Sequence, residues 1–395
     1  MVMGEHTWGW NGGSTKTKSW SNEELKESLR SDKDFAAAVL SWTEQRKFLQ
    51  HAVEALPEHS ALRLEIEHAW KELTTPKQPV KKQIIARGSF RVTNCGAWSV
   101  GFAADGSLNH LVERNSGRVV ADEAHPLFWL HYEGYDANFL KKYVSEYIAG
   151  VSSVWPTLTA EGFFKPGLNL PAISSNVSLV SASRGKNSTT IILELRFDST
   201  LAQEERGAPS WAQATVSCSS EGSPPSIGYD LRWFNKTATH APETLWLSHA
   251  PITLADFISA EGTSKRGRVE LHKLGNYLDA ADVDLGCPGG QQKHITCGIH
   301  LHAIGDGGFI ARAAENATSS AQFSMKIISL DSALLSIGSS SPVPTPLVAP
   351  PFSGGLHHAL QGNIWNTNYP FWYPFLKNVD SNSTTFRFRM EVFSD

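Results

Sequence analysis

The feature that most constrains this chain is a change of hydrophobic periodicity near residue 80. From Ile84 onward, short segments rich in β-branched and aromatic residues alternate with Gly, Pro and Ser turns. Asp105-Gly106 between two of these segments is a hairpin signal. Many short strands with few helices argue for a large antiparallel β-sandwich. The strand candidates are 90–92, 99–102, 178–183, 189–197, 214–219, 229–234, 245–248, 299–304, 323–329 and 384–393.

The region before this change has helical periodicity. Acidic residues follow Ser21 and mark a helix start, and the pattern predicts helices over 22–31, 33–56 and 60–73. Thr74–Pro79 contains two prolines and reads as a linker. We therefore divide the chain into a Trp/Gly-rich loop (1–21), a small antiparallel helical bundle (22–76) and a β-sandwich (84–395). Within the sandwich we expect one helix at 138–148 and a surface loop at 336–351.

The composition and residue spacing argue against several classes of function. The net charge of −4 over 395 residues does not suggest a nucleic-acid-binding face. No apolar run approaches the ~18 residues of a membrane span, and no charged-then-apolar leader is visible. The cysteines lack zinc-site spacing, so no metal or cofactor is predicted. Cys287 and Cys297 flank a Pro-Gly-Gly turn and would close a short disulfide loop if they paired; Cys95 and Cys218 complete an even count that permits two disulfides.

Five glycosylation sequons bear on the compartment. Together with the even cysteine count they lean toward the secretory route, and the cytosol is the alternative. The sequon asparagines are Asn176, Asn187, Asn235, Asn316 and Asn382.

Both ends of the chain are dense in Trp, Asn and other aromatic residues, at 4–10 and 362–372. Such residues suit a flat, largely apolar ligand with a few polar anchors. The alternative interpretation is that they fill space within the fold. His300 and His302 alternate, so on a strand they share one face and would serve as acid and base or in structural hydrogen bonds. His357 and His358 are adjacent in a Gly-rich stretch predicted as a loop, and neighbouring residues do not face the same way.

Several motifs, taken in order, carry a family resemblance. They include Glu5-His6-Thr7-Trp8-Gly9, Phe164-Lys165-Pro166-Gly167, the segment 235–243, His300-Leu301-His302-Ala303 and the tail 363–372. This set resembles the C-terminal part of an uncharacterised fungal and bacterial family distantly related to the glycoside hydrolase family 38 α-mannosidases. The resemblance implies a helical bundle followed by a large sandwich, and it covers nearly the whole chain.

Full-length relatives begin with a zinc-binding catalytic barrel, and we expect this chain to be a form that lacks it. His6 matches the position of the last zinc ligand in the mannosidases. A single His cannot hold a catalytic zinc, and a retaining glycosidase needs two opposed carboxylates. We therefore expect no glycosidase activity. Loss of the barrel would also expose an apolar face, through which a homodimer is expected to form.

Short members of this kind resemble fungal natural-product enzymes. The implied activity is a stereoselective hetero-Diels–Alder reaction between an o-quinone methide, formed from a tropolone precursor, and a humulene-type sesquiterpene. Its partners would be small apolar substrates, and it needs no metal or cofactor. We assign catalytic roles to His6, His302 and Asn366. The substrate-binding candidates are Trp8, Trp10, Trp20, His300, Trp365, Asn368, Tyr369, Trp372 and Tyr373.

Two other hypotheses remain open at this point. The chain would be a carbohydrate-binding or accessory module if the aromatic residues line a shallow groove with polar rims, since such platforms bind sugars as well. It would be a fragment of a longer protein if a barrel is encoded upstream.

Overall fold

The chain is mainly antiparallel β-sheet, with helices concentrated before the first strand. The computed structural model describes residues 20–74, 86–87, 90–147, 168–185, 189–221, 224–254, 257–258, 264–265, 267–273, 276–280, 302–303, 308–313, 323–332, 334–342, 352–363 and 385–394. The prediction of a large antiparallel β-sandwich preceded by a small helical bundle is confirmed. None of the described helices combines the length and the hydrophobicity that a bilayer crossing needs.

Within residues 20–74 the chain forms helices α1 (Asn22–Ser31), α2 (Lys33–Glu54) and α3 (Ala61–Thr74). Each bound lies within two residues of its prediction, because polar caps mark the starts. The Ser21 side chain accepts a hydrogen bond from the Glu24 amide, and Asp32 accepts from the Asp34 and Phe35 amides. Capping satisfies amides that have no partner inside the helix.

The start of the helical region packs onto the sandwich through a small apolar cluster. Two further helices lie within the sandwich, α4 (Ala137–Tyr147) and α5 (Thr200–Arg206). Trp20, Leu25 and Phe35 are buried with Leu140 of α4 and with Leu168. This contact fixes the N-terminal end of the described chain against one end of the sandwich.

The strands follow the expected short spacing. In chain order they are β1 Ala86–Arg87, β2 Phe90–Cys95, β3 Trp98–Phe102, β4 Leu108–Glu113, β5 Val119–Ala121, β6 Leu127–Gly134, β7 Ile173–Arg184, β8 Thr190–Phe197, β9 Trp211–Cys218, β10 Ser226–Phe234, β11 Glu243–His249, β12 Phe257–Ile258, β13 Ser264–Lys265, β14 Arg268–Lys273, β15 Asn276–Asp279, β16 His302–Ala303, β17 Phe309–Arg312, β18 Ser324–Ser329, β19 Leu334–Ile337, β20 Leu356–Asn363 and β21 Thr385–Phe393. The turn at Asp105-Gly106 joins β3 to β4 as the hairpin signal predicts.

Two stacked sheets carry nearly all of these strands. The back sheet has the order β1-β7-β8-β9-β10-β21-β18-β17-β14-β15. The front sheet runs β2-β3-β4-β6-β11-β20-β19-β16, with β5 beside β4. The first residues of β7 also pair with β6, so β7 passes from one sheet to the other.

Side-chain alternation explains which faces meet. Along β21, Phe386, Phe388, Met390 and Val392 are buried while the residues between them are more exposed. The buried residues of both sheets interdigitate, as where the rings of Phe128 on β6 and Tyr229 on β10 stack at 4.4 Å. In contrast, β11 is buried at every position, so both of its faces are covered.

Two expectations about local structure need correction. Residues 336 and 337 belong to strand β19, and the loop predicted to start at 336 begins after them. His357 and His358 belong to strand β20, and not to a loop. The Gly-rich sequence before them concealed the strand, because the glycines serve the turn that precedes it: Gly355 has a φ of 105° and its amide binds the Phe352 carbonyl.

A disulfide joins the two sheets. It links Cys95 at the end of β2 with Cys218 at the end of β9, with Cα atoms 5.8 Å apart and a sequence separation of 123. The sequence had left the pairing open, and the predicted Cys287–Cys297 loop lies outside the described residues. Disulfides persist in oxidising compartments, and the secretory route stays a prediction.

Removal of this disulfide is expected to lower the free energy of unfolding by about 4 kcal/mol, because the bond closes a loop of more than a hundred residues in the unfolded chain. Urea unfolding of a Cys95→Ala/Cys218→Ala variant measures the loss. Dithiothreitol should move the wild type toward the variant's midpoint. Equal stability of the wild type and the variant would contradict this prediction.

Candidate functional site

The outer face of the front sheet, opposite the back sheet, carries an unusual set of polar and aromatic side chains. Strand register places them in three rows, because residues paired across antiparallel strands point the same way. The rows are Asn176–His131–Trp246–Ala359, Ser174–Glu133–Thr244–Gly362 and Trp129–Ser248–His357–Ser336. Trp246 packs here with Leu334 and Ala359 in an apolar cluster separate from the main core.

Glu133 is the centre of this face. Its Oε1 accepts a hydrogen bond from Ser340 Oγ at 2.8 Å, and its Oε2 accepts from Tyr135 Oη at 2.9 Å and from Trp246 Nε1 at 3.1 Å. His131 Nε2 lies 3.6 Å from Oε1. Burial alone would raise the pKa of Glu133, but the contact with His131 and the donated hydrogen bonds outweigh burial, and the pKa is lowered. Glu133 is therefore an anion at neutral pH.

His357 lies in the row next to His131. Its Nδ1 is 2.8 Å from Ser248 Oγ, and the Trp129 ring meets it edge-on at 5.9 Å. Burial, with a smaller contribution from His131, lowers the pKa of His357 to about 4. His357 is therefore neutral at neutral pH, unlike the partly exposed Glu133 two rows away.

The opposite, core-facing side of the same strands holds a second histidine pair. The Phe128 amide donates to His249 Nδ1, so the His249 proton sits on Nε2 and is donated to His358 Nδ1 at 3.1 Å. Phe128, Phe309 and Phe388 surround this pair. Burial, and after it the neighbouring histidines, lowers the pKa of His358 to about 3 and that of His249 well below its usual value.

A buried ion pair supports the end of the sheet nearest Glu133. Lys236 Nζ lies 2.6 Å from Glu243 Oε1, and both side chains are 1% exposed. Tyr132 Oη donates to Glu243 Oε2 at 2.7 Å, and Lys236 also donates to the Gly207 and Thr237 carbonyls. Burial raises the pKa of Glu243, and Lys236 opposes this shift only in part.

The two Trp/Asn-rich segments leave the described structure at this same end. The Trp20 ring packs on His240 with ring centroids 4.6 Å apart, and the His240 amide donates to Asn22 Oδ1. Asn363 donates from Nδ2 to the Thr239 and Ala241 carbonyls at 2.8 and 3.0 Å. Residues 1–19 precede Trp20, and Trp365 and Asn366 lie two and three positions after Asn363. The bases of both segments are therefore neighbours.

Few of the site residues expected from sequence can be placed. Trp20 is 1% exposed and belongs to the apolar cluster of the helical region, where it supports the fold. His302 lies in β16, paired with Leu335, and only its backbone is described. The remaining candidates lie outside the described residues; they are His6, Trp8, Trp10, His300, Trp365, Asn366, Asn368, Tyr369, Trp372 and Tyr373.

Two of the five sequon asparagines are described, and both are exposed. Asn176 lies on β7 beside His131. Asn235 has a φ of 61°, a left-handed conformation that Asn tolerates, and its Nδ2 donates to Ser210 Oγ at 2.9 Å. This turn role explains Asn235 without glycosylation. Asn187, Asn316 and Asn382 lie outside the described residues.

Sequence reasoning missed the polar residues of β6. The strand reads Leu-Phe-Trp-Leu-His-Tyr-Glu-Gly, with Trp129, His131 and Glu133 at alternate positions between apolar residues. That alternation is the signal that marks a face with its own chemistry. Across the part of the chain that the structure describes, no three His, Cys, Asp or Glu side chains converge in a way that would hold a metal ion.

A family model that matches the first half of the chain shows which family the chain belongs to. The model of a family described as "Domain of unknown function (DUF5054)" matches residues 1–223, more than half of the chain. The chain belongs to this family. The matched part of this DUF5054 protein includes β6, and it ends before β11 and β20, which complete the face around Glu133. No curated protein matches the chain.

Solved structures resemble this DUF5054 protein only weakly. A putative aldose 1-epimerase from Escherichia coli K12 is 8% identical with a TM-score of 0.35, over 78% of this chain and 99% of its own. A galactose mutarotase-like protein from Lactobacillus casei is 10% identical with a TM-score of 0.33, over 78% of this chain and 100% of its own. The Slr1438 protein from Synechocystis is 7% identical with a TM-score of 0.32, over 81% and 100%. Scores this low carry no functional conclusion.

Proposed function

We propose that this protein catalyses a stereoselective intermolecular hetero-Diels–Alder cycloaddition. The partners are an o-quinone methide, formed from a tropolone precursor by loss of water, and a humulene-type sesquiterpene. The reaction itself comes from the family resemblance of the sequence motifs. The observation that supports it most is that the two Trp/Asn-rich segments leave the fold at one end of the front sheet, next to a face that holds His131 and Glu133.

This arrangement suits the chemistry. A cycloaddition needs two apolar partners held face to face, and orientation lowers the barrier by several kcal/mol. The Trp residues of segments 1–19 and 364–384 are proposed to bind the partners, with His6, Asn366 and Asn368 as hydrogen-bond donors to the quinone-methide oxygen. Loss of water from the precursor requires a group that transfers protons.

The test is chiral chromatography with mass detection. Purified protein is mixed with a hydroxymethyl tropolone and a hydroxylated humulene, beside a control without protein. One enantio-enriched adduct, formed faster than in the control, is expected. Trp365→Ala and His6→Ala should each reduce this turnover at least tenfold, because they remove a proposed binding surface and a proposed donor.

Two results would count against the proposal. A racemic trace equal to the control would overturn the cycloaddition itself. Full activity of Trp365→Ala and His6→Ala would leave the reaction standing and overturn the assignment of these two residues. Trp211→Ala is the matched control for the Trp change: Trp211 stacks on Phe234 at 3.9 Å in the back sheet, away from the Glu133 face.

Carbohydrate binding is the second candidate, and one observation favours it. Ser174 and Asn176 are exposed on β7, in register with Glu133 and His131, and Trp129 lies on the same face. Aromatic rings flanked by amide, carboxylate and hydroxyl groups bind sugars. Glycan-array binding lost in a Trp129→Ala variant, together with a racemic trace in the cycloaddition assay, would establish this candidate in place of the first.

A further inference from the structure

The carboxylate of Glu133 is surrounded by hydrogen-bond donors. Ser340 from the loop after β19, Tyr135 from the residue after β6 and Trp246 from β11 all donate hydrogen bonds to it, and they occupy most of its acceptor sites. A carboxylate stabilised in this way is a weak base. It can still orient a neighbour and stabilise a positive charge on it, as the carboxylate does in catalytic triads.

His131 is the neighbour that Glu133 faces. With Nε2 directed at the carboxylate, the ring proton belongs on Nε2, and the lone pair is left on Nδ1. Among the residues that the structure describes, none forms a hydrogen bond with this Nδ1, although it is buried. Buried polar atoms are nearly always paired, so an orphan nitrogen beside an oriented carboxylate points to a partner that arrives with a ligand.

The surroundings of His131 leave one side open. Trp246, its neighbour in the row toward β20, is fully buried, while Asn176, its neighbour on β7, is exposed. The side chains of His131 and Glu133 are 13% and 26% exposed. A ligand that crosses the β7 side of the face therefore meets His131 first. His357, in the next row, is further from this edge and is 5% exposed.

We propose that His131 is the proton-transfer residue for the dehydration of the tropolone precursor, with Glu133 as its positioning residue. The inference rests on the proposed function. His131 Nδ1 takes the proton of the ring hydroxyl, and the electrons of that O–H bond form the ketone. The exocyclic C=C bond forms as the hydroxymethyl C–O bond breaks. The departing hydroxide takes the proton from His131, so water leaves and the imidazole is neutral again.

Assays with two alternative precursors distinguish an effect on the dehydration from an effect on the cycloaddition. The hydroxymethyl tropolone needs a proton for its hydroxide leaving group, whereas the acetoxymethyl analogue loses acetate without one, and solvent water takes up the proton of its ring hydroxyl. His131→Gln is expected to lower turnover of the hydroxymethyl precursor by about 10²- to 10⁴-fold. The same variant should still form enantio-enriched adduct from the acetoxymethyl analogue. Glu133→Gln should show the same split with a smaller loss, which a purely structural role would not produce.

A matched control is available just before the same strand, β6. His125 Nδ1 contacts Asp122 Oδ1 at 2.8 Å, which is also a His–carboxylate pair, but it precedes β6 and lies about 20 Å along the chain from His131. His125→Gln should leave both reactions unchanged. Loss of both reactions in His131→Gln, with wild-type thermal unfolding, would overturn proton transfer in favour of a binding role. Full activity of this variant on both precursors would overturn any role of His131 in the reaction. A wild type inactive on both precursors overturns the proposed function and this inference with it.

Discussion

Acidification from pH 7 to pH 5 is expected to lower the free energy of unfolding by about 4 kcal/mol through two buried histidines alone. The pKa values of His357 and His358 are lowered by burial to about 4 and about 3 in the folded protein. In the unfolded chain both histidines titrate near their ordinary value. Their contribution to stability is therefore complete above that value, and it is lost as the pH falls toward the folded pKa values.

Other buried groups change the total dependence of the unfolding free energy on pH, but they do not change the sign of the contribution from His357 and His358. His249, whose pKa is also lowered by burial, adds to the loss. Glu243, whose pKa is raised by burial, acts in the opposite direction, because the folded state then favours its protonated form. A comparison of variants is therefore sharper than the wild-type profile alone.

Urea unfolding at a series of pH values measures the effect. His357→Gln keeps a side-chain partner for Ser248 but cannot gain a proton, so it should remove about 2 kcal/mol of the loss between pH 7 and pH 5. His68→Gln, on the exposed side of α3, is the matched control and should follow the wild type. A His357→Gln profile that is parallel to the wild type would show that His357 is not buried as a neutral imidazole.

Lys236→Met is expected to lower the free energy of unfolding by about 3–5 kcal/mol, the usual cost of removing one partner from a buried ion pair. The change leaves the Glu243 carboxylate buried without its counter-charge. Tyr132 still donates to it, but a single neutral donor does not replace the ammonium group. The cost is thus the desolvation of one unpaired charge.

The double variant Lys236→Met/Glu243→Met provides the control. It removes both charges and fills similar volume, and Tyr132 keeps the Arg206 carbonyl as an acceptor at 3.3 Å. We expect it to be more stable than Lys236→Met alone, measured by urea unfolding at pH 7. A double variant that is less stable than the single one would show that the pair acts mainly through its hydrogen bonds to the backbone and to Tyr132.

The sequence alone accounts for most local structure. Polar caps at Ser21 and Asp32 mark where α1 and α2 begin, and the alternation along β21 marks a strand with one buried face. These features depend on neighbours within a few residues, which a single sequence displays directly. The class of the fold follows from the number and spacing of such segments.

The tertiary structure was needed for the long-range contacts that hold Glu133 in place and for the disulfide. Glu133 meets Trp246 and Ser340, which are 113 and 207 residues away, and Cys95 meets Cys218 across 123 residues. Periodicity reports which face of a strand is buried, but it does not report which distant strand lies beside it. That pairing depends on packing across the whole sandwich, because strands of similar pattern are interchangeable until their side chains meet.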